Sequence, residues 1–132
     1  MNLLSILRYL QLYAHNAHNL LGGPTFFQDH EFLAELYATY ESEYDAVVER
    51  TIGMKGAIDL ISIQKQAVDQ LVKTGQCTNF QDCFRDILKW EQTLCKAIEK
   101  IVPQSTQGTA QLIGEIANKS EIRQFKLKQR LK

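Results

Sequence analysis

Four residues have types and spacing that suit metal chemistry: His18, His30, Asp45 and Glu49. Imidazole nitrogens and carboxylate oxygens bind transition metals at about 2.0–2.2 Å. Two of each suit iron, manganese or zinc, and a carboxylate-rich set with open positions fits redox iron better than a closed structural zinc site. On a helix, Asp45 and Glu49 stand one turn apart and point the same way. His30 lies fifteen residues before Asp45, about 22 Å along a helix, so one straight helix cannot bring both to one ion. Two antiparallel copies of the helix can. If they cross near Ala38 or Thr39, His30 of one chain faces Asp45 and Glu49 of the other, and the two-fold axis makes two identical sites.

Angular placement bears on this reading. At about 100° per residue, with His30 at zero, Ala34, Ala38, Ser42, Asp45 and Glu49 fall within an arc of roughly 120°. Ligand types occupy its ends and small residues its middle, where another helix can come close. The competing reading is a solvated acidic face, since seven acidic residues and no lysine or arginine lie from Gln28 to Glu49. His18 falls on the inward side of an earlier helix with Leu7 and Ala14. A lone histidine there is usually a satisfied core residue, but His18 stands across a Gly22-Gly23-Pro24 turn from His30, which favours a ligand role. His15, one turn earlier, reads as a polar interface residue.

The elements that would position these residues are helical throughout. Apolar residues recur at helical spacing, and no sustained period-two pattern of β-branched residues occurs. A first helix is expected over about 3–20, with Leu3, Leu7, Leu10, Ala14, Ala17 and Leu21 inward. A second runs over about 27–54, with Leu33, Tyr37, Tyr40, Tyr44, Val47 and Thr51 as its stripe and Gly56 past its end. A shorter amphipathic piece over about 57–73 bridges to a third long helix at about 81–102, with Asn79 as N-cap. Its core side is Phe84, Ile87, Leu88, Leu94, Ile98 and Ile101, and Pro103 stops it. A fourth long helix over about 106–131 is expected to bury Leu112, Ile113, Ile116, Ile122, Phe125 and Leu127. The fold class is all-α: a four-helix bundle with a short crossover helix between the second and third long helices.

The 132 residues suit a single domain, 1–132. Fifteen basic residues balance fifteen acidic ones, which excludes a globally basic nucleic-acid binder but not a local basic patch. No apolar run is long enough for a membrane span. The opening residues carry Arg8 within the apolar stretch and no small-residue cleavage site, so they read as helix, not as a signal peptide. Three cysteines without paired spacing point to a reducing, cytoplasmic setting.

The stretch Ala17-His18-Asn19, Gly23 to Phe27, Asp29-His30-Glu31, then Asp45, Glu49-Arg50 and Gly56 resembles the Dps family, the mini-ferritins or DNA-binding proteins from starved cells. The family pattern is a histidine, a Gly-x-x-Phe turn, a histidine twelve residues after the first, an aspartate fifteen further on and a glutamate four later; this chain matches it throughout. The segment from Gly108 to Ile116 looks like the start of the family's last helix. The resemblance implies a ferritin-like bundle that assembles into a hollow dodecamer from two-fold dimers. It implies ferroxidase centres between subunits, with His18 and His30 from one and Asp45 and Glu49 from its partner. There ferrous iron is oxidised, with hydrogen peroxide preferred, and ferric mineral is stored in the cavity. The Glu-x-x-His pair of bundle-centred di-iron proteins is absent, which also favours a site between chains. Glu31 and Glu35 read either as mineral-nucleating or as a solvated pair.

The departures set the rival reading, a shell-forming or DNA-coating protein with weak or structural metal sites. Many members carry tryptophan directly after the first histidine; here it is Asn19. A carboxylate often follows the second histidine by four; here it is Ala34. Both changes weaken a second iron position. Gln111 replaces an aspartate that lines an iron-admitting pore, and Phe125 stands where a tryptophan is common. Little precedes the first helix, so a lysine-rich N-terminal tail for DNA is not expected. The stretch from Lys119 to Lys132 has six basic residues and one acidic one. Lys119 and Arg123 read as cations that complement the helix dipole. Lys126, Lys128, Arg130 and Lys132 read equally as such cations or as a non-specific DNA grip. Cys77, Cys83 and Cys95 read as free thiols, Trp90 as packing, and Gly22-Gly23 as a turn, not a phosphate loop.

Overall fold

Asn2 opens the first helix: its side-chain oxygen accepts the Ser5 backbone N–H at 2.9 Å, satisfying one of the donors that a helix start leaves free. The computed structural model describes residues 1–132, and α1 spans Leu3–Leu20. After the turn at 21–25, α2 spans Phe26–Lys55, about 45 Å of unbroken helix. Gly56 ends it with φ +95°, a conformation open to glycine at little cost. The crossover α3 spans Leu60–Thr74, capped by Asp59. Asn79 caps α4, Phe80–Ile101, by accepting the Asp82 N–H at 2.8 Å. Pro103 falls in a 3₁₀ turn over Val102–Gln104. Thr106 then caps α5, Gln107–Arg130.

The short connections make α1–α2 and α4–α5 antiparallel neighbours, and α3 carries the chain between these pairs. α1 is the central element, packing against α2, α3 and α4. All six of its expected inward residues are buried, with Leu7, Leu10 and Ala14 fully so. No helix is long and apolar enough to cross a membrane.

The last helix differs from expectation. Ile122 and Phe125 were expected inside but are 51% and 62% exposed. The buried positions of α5 are Ile113, Ile116, Ser120, Arg123 and Leu127. These follow alternating steps of three and four, one continuous helical stripe. Geometry selects position, not residue type, so a serine and an arginine face inward. Arg123 is therefore no helix-end cation: it is 6% exposed, in the middle of the bundle. Ile101, at the end of α4, is also more open than its place on the core side suggests.

Candidate metal centre

The turn after α1 reverses the chain and lays the start of α2 along the end of α1. It brings His18 and His30 together as a parallel stack, with ring centroids 3.7 Å apart and planes 19° apart. His30 Nδ1–H donates to the backbone carbonyl of His18 at 2.9 Å. That carbonyl lies in the last turn of α1, where the helix supplies no N–H partner. The bond thus closes the helix end and sets the tautomer. With Nδ1 protonated, the free lone pair of neutral His30 is on Nε2. Phe26 covers the other face of His30 at 4.6 Å.

His18 is half-buried, between His30 and Tyr37, whose ring lies 5.2 Å away. His15 meets the Tyr37 ring edge-on at 4.0 Å. Burial lowers the His18 pKa below its ordinary 6.5, and the neighbouring His30 and His15 lower it further against an opposing contact from Asn19. His18 is therefore neutral at pH 7, the form that binds metal.

Asp45 and Glu49 lie farther along α2 and are exposed, as are Ala38 and Ser42. Neither carboxylate joins any of the five salt bridges in the chain. Arg50, beside Glu49, reaches instead toward Thr109 Oγ1 at 3.4 Å. Within one chain no three His, Cys, Asp or Glu side chains converge on a common point. The fold assembles the histidine half of the predicted set and leaves the carboxylate half on the open side of the same helix.

A second polar constellation, in the bundle interior, escaped the sequence reading. Arg123 on α5 bridges Glu43 on α2 and Glu91 on α4. Its two terminal nitrogens reach the two Glu43 oxygens at 3.0 and 3.1 Å. It reaches Glu91 through Nη2 at 3.0 Å and through a second, short bond from Nε. Glu91 is fully buried and Glu43 nearly so. Burial raises both carboxyl pKa values and outweighs the arginine beside them. Above it lies Tyr40, its ring 5.0 Å from the guanidinium and its buried hydroxyl without a partner. The signal was present in sequence: Glu43, Glu91 and Arg123 each interrupt the apolar stripe of a different helix. In ferritin-like di-iron bundles, inward glutamates and histidines hold metal at the centre. Here the two inward glutamates are joined by a cation, and no histidine accompanies them.

The basic C-terminus is divided. Arg130 is held by Asp29 at 2.7 and 2.9 Å and by Thr25 at 3.3 Å, an anchor between the end of α5 and the start of α2. Lys126, Lys128 and Lys132 are exposed. The aromatic Trp90 packs against Tyr9 at 4.8 Å, and the cysteines are free thiols.

A comparison with curated proteins finds no match. The family model of the ferritin-like domain matches residues 2–131, nearly the full length over which the helices described above run. With the long-helix bundle, the crossover α3 and this match together, the chain belongs to the ferritin-like domain family.

Proposed function

We propose that this protein oxidises ferrous iron at centres shared between two-fold-related subunits and stores the ferric product inside a hollow oligomer, a dodecamer of the Dps type. Family membership supports the coarse class, iron oxidation and storage. The observation that carries the finer reading is the stacked His18–His30 pair, whose His30 shares one arc of α2 with the unpaired Asp45 and Glu49. The arginine-filled bundle centre supports it from the other side, because it occupies the position where an in-bundle site would form.

In this reading His18 and His30 come from one subunit, and Asp45 and Glu49 come from its partner. Two ferrous ions are oxidised for each peroxide. Each iron gives up one electron. Hydrogen peroxide takes both electrons with two protons and leaves as two waters, so no one-electron radical product forms. The carboxylates favour the ferric state, and the tautomer of His30 is fixed before iron arrives.

The test is anaerobic loading with about two ferrous ions per subunit, followed by peroxide or air and ferric absorbance. The expected result is fast oxidation by peroxide with a soluble ferric product. Glu49→Gln should slow it at least tenfold while assembly persists, in line with the cost of losing a metal contact. Oxidation no faster than in buffer alone would overturn the reading.

A second reading, a shell that binds DNA without sequence preference, is favoured by the exposed Lys126, Lys128 and Lys132. It predicts a duplex mobility shift that weakens with salt and is lost when these three lysines become glutamine. An unchanged shift would count against it.

A further inference from the structure

At the end of the bundle away from the histidines, α1 and α5 begin and α2 and α4 end around a cavity of about 480 Å³. Its floor is apolar: Leu3 and Leu4 of α1, Val47 of α2 and Ile113 of α5 line it, and all four are buried. Arg50 and Lys55 of α2 line its rim. They are the only charged residues in the lining; no aspartate or glutamate is among them.

Neither cation joins a salt bridge. Arg50 is half-buried and uses one Nη1–H on Thr109 Oγ1, at a long 3.4 Å. The rest of its donor fork meets no protein acceptor. Thr109 Oγ1 also accepts from the Thr106 hydroxyl at 3.0 Å, so its own hydrogen is free to donate. The guanidinium stands over the start of α5, with Nη1 3.7 Å from the place a Cβ on Gly108 would take. The rim therefore gathers donors and positive charge, and the cavity supplies no acceptor of opposite sign. The helix dipoles do not decide this sign, since two helices begin and two end here; the side chains do.

We propose that this cavity binds a single-chain carboxylate, a fatty acid or similar amphiphile. Its carboxylate meets Arg50, Lys55 and the Thr109 hydroxyl, and its alkyl chain lies along the Leu3, Leu4, Val47 and Ile113 floor. Each half of the lining selects one half of the ligand. A guanidinium fork matches the two oxygens of a carboxylate, and the floor beside it lowers the local polarity, which strengthens the pairing. A bare inorganic anion would answer the rim and leave the apolar floor in water. A neutral hydrocarbon would cover the floor and leave the fork unanswered. The volume lies within the range of small-molecule sites, which are mostly apolar with a few convergent polar groups.

The experiment is titration calorimetry of hexanoate, octanoate and decanoate, each below self-association, into the full-length, chelator-washed protein. One site per chain is expected. Affinity should rise about fifteenfold for each two methylenes added, the fold-change for burying them. Octyltrimethylammonium, with the same length of tail and the opposite charge, should not bind, and inorganic phosphate should bind at least tenfold more weakly than decanoate. Arg50→Gln should weaken decanoate at least tenfold, the loss of a charge-assisted bond. Lys55→Gln, at a more exposed position, should weaken it about threefold, and it carries the test if the Arg50 variant does not assemble. An affinity flat across the chain-length series would overturn the proposal. So would octyltrimethylammonium or phosphate binding as tightly as decanoate, or decanoate affinity unchanged in both variants. No iron is present in the measurement, so its failure leaves the ferroxidase reading standing.

Discussion

Arg123→Met is the sharpest perturbation of the fold, because it removes one cation from between two buried anions. Methionine retains most of the apolar stem and deletes the guanidinium. Four hydrogen bonds are lost, and Glu43 and Glu91 remain in a site without water access. Breaking a buried pair in this way costs about 3–5 kcal/mol. For a chain of this size, about 4 kcal/mol corresponds to a drop in Tm of roughly 12–20 °C. The cost should also depend on pH. Burial already raises both carboxyl pKa values, and without the cation they rise further. A carboxyl with a raised folded pKa holds its proton more tightly folded than unfolded. Stability of the variant is therefore best below the ordinary value of 4.5 and falls as pH rises through the folded values. The assay is urea unfolding at fixed protein concentration, since assembly would add its own stability, at pH 5 and pH 7.5. The gap to the parent should widen at the higher pH. A companion variant, Arg123→Met with Glu43→Gln and Glu91→Gln, removes the buried charge entirely and should recover much of the loss. A loss below about 1 kcal/mol in Arg123→Met, or a gap that narrows toward pH 7.5, would refute the view that this network holds the bundle centre.

Asp29→Asn tests the anchor between α2 and α5. Burial works to raise the Asp29 pKa, but hydrogen bonds from Arg130 and Thr25 outweigh it and hold the carboxyl below its ordinary 3.8. Its contribution is therefore present above about pH 3.8 and is lost as pH falls toward the folded value. The substitution should cost about 1–3 kcal/mol at pH 7 and progressively less as pH is lowered below 3.8; a loss that does not shrink with acid would sink the assignment. Ala38→Arg places a long cation at the expected helix crossing. It should leave circular dichroism unchanged while light scattering reports loss of the dimer, and an unchanged oligomer would move the subunit contact off this arc.

The bundle was legible because its signals are local. Asn79 and Gly56 mark ends whose unsatisfied N–H and C=O groups must be met by nearby atoms, so the residue that meets them is near in sequence. The inward face of α1 was legible because nearly every position on it is apolar, Ser5 at its capped start excepted. Where the stripe passes through a charged residue, as at Glu43, Glu91 and Arg123, residue type and position disagree. Composition then misassigns the position: Ile122 and Phe125 were placed inside, and Arg123 at a helix end. Only the joint placement of three helices satisfies such residues, and no one of them carries that information alone. His18 and His30 were legible as a pair because a five-residue turn ties them together. The bond from His30 to the His18 carbonyl was not, since it depends on which backbone group the end of α1 leaves open. Asp45 and Glu49 remain an inference of a different kind. About 22 Å of rigid helix separates Asp45 from His30, so no rearrangement within one chain can join them. If the four residues act together, a second copy must supply half. An ion-free monomer with intact His18–His30 stacking is what that requirement predicts for any variant that cannot dimerise.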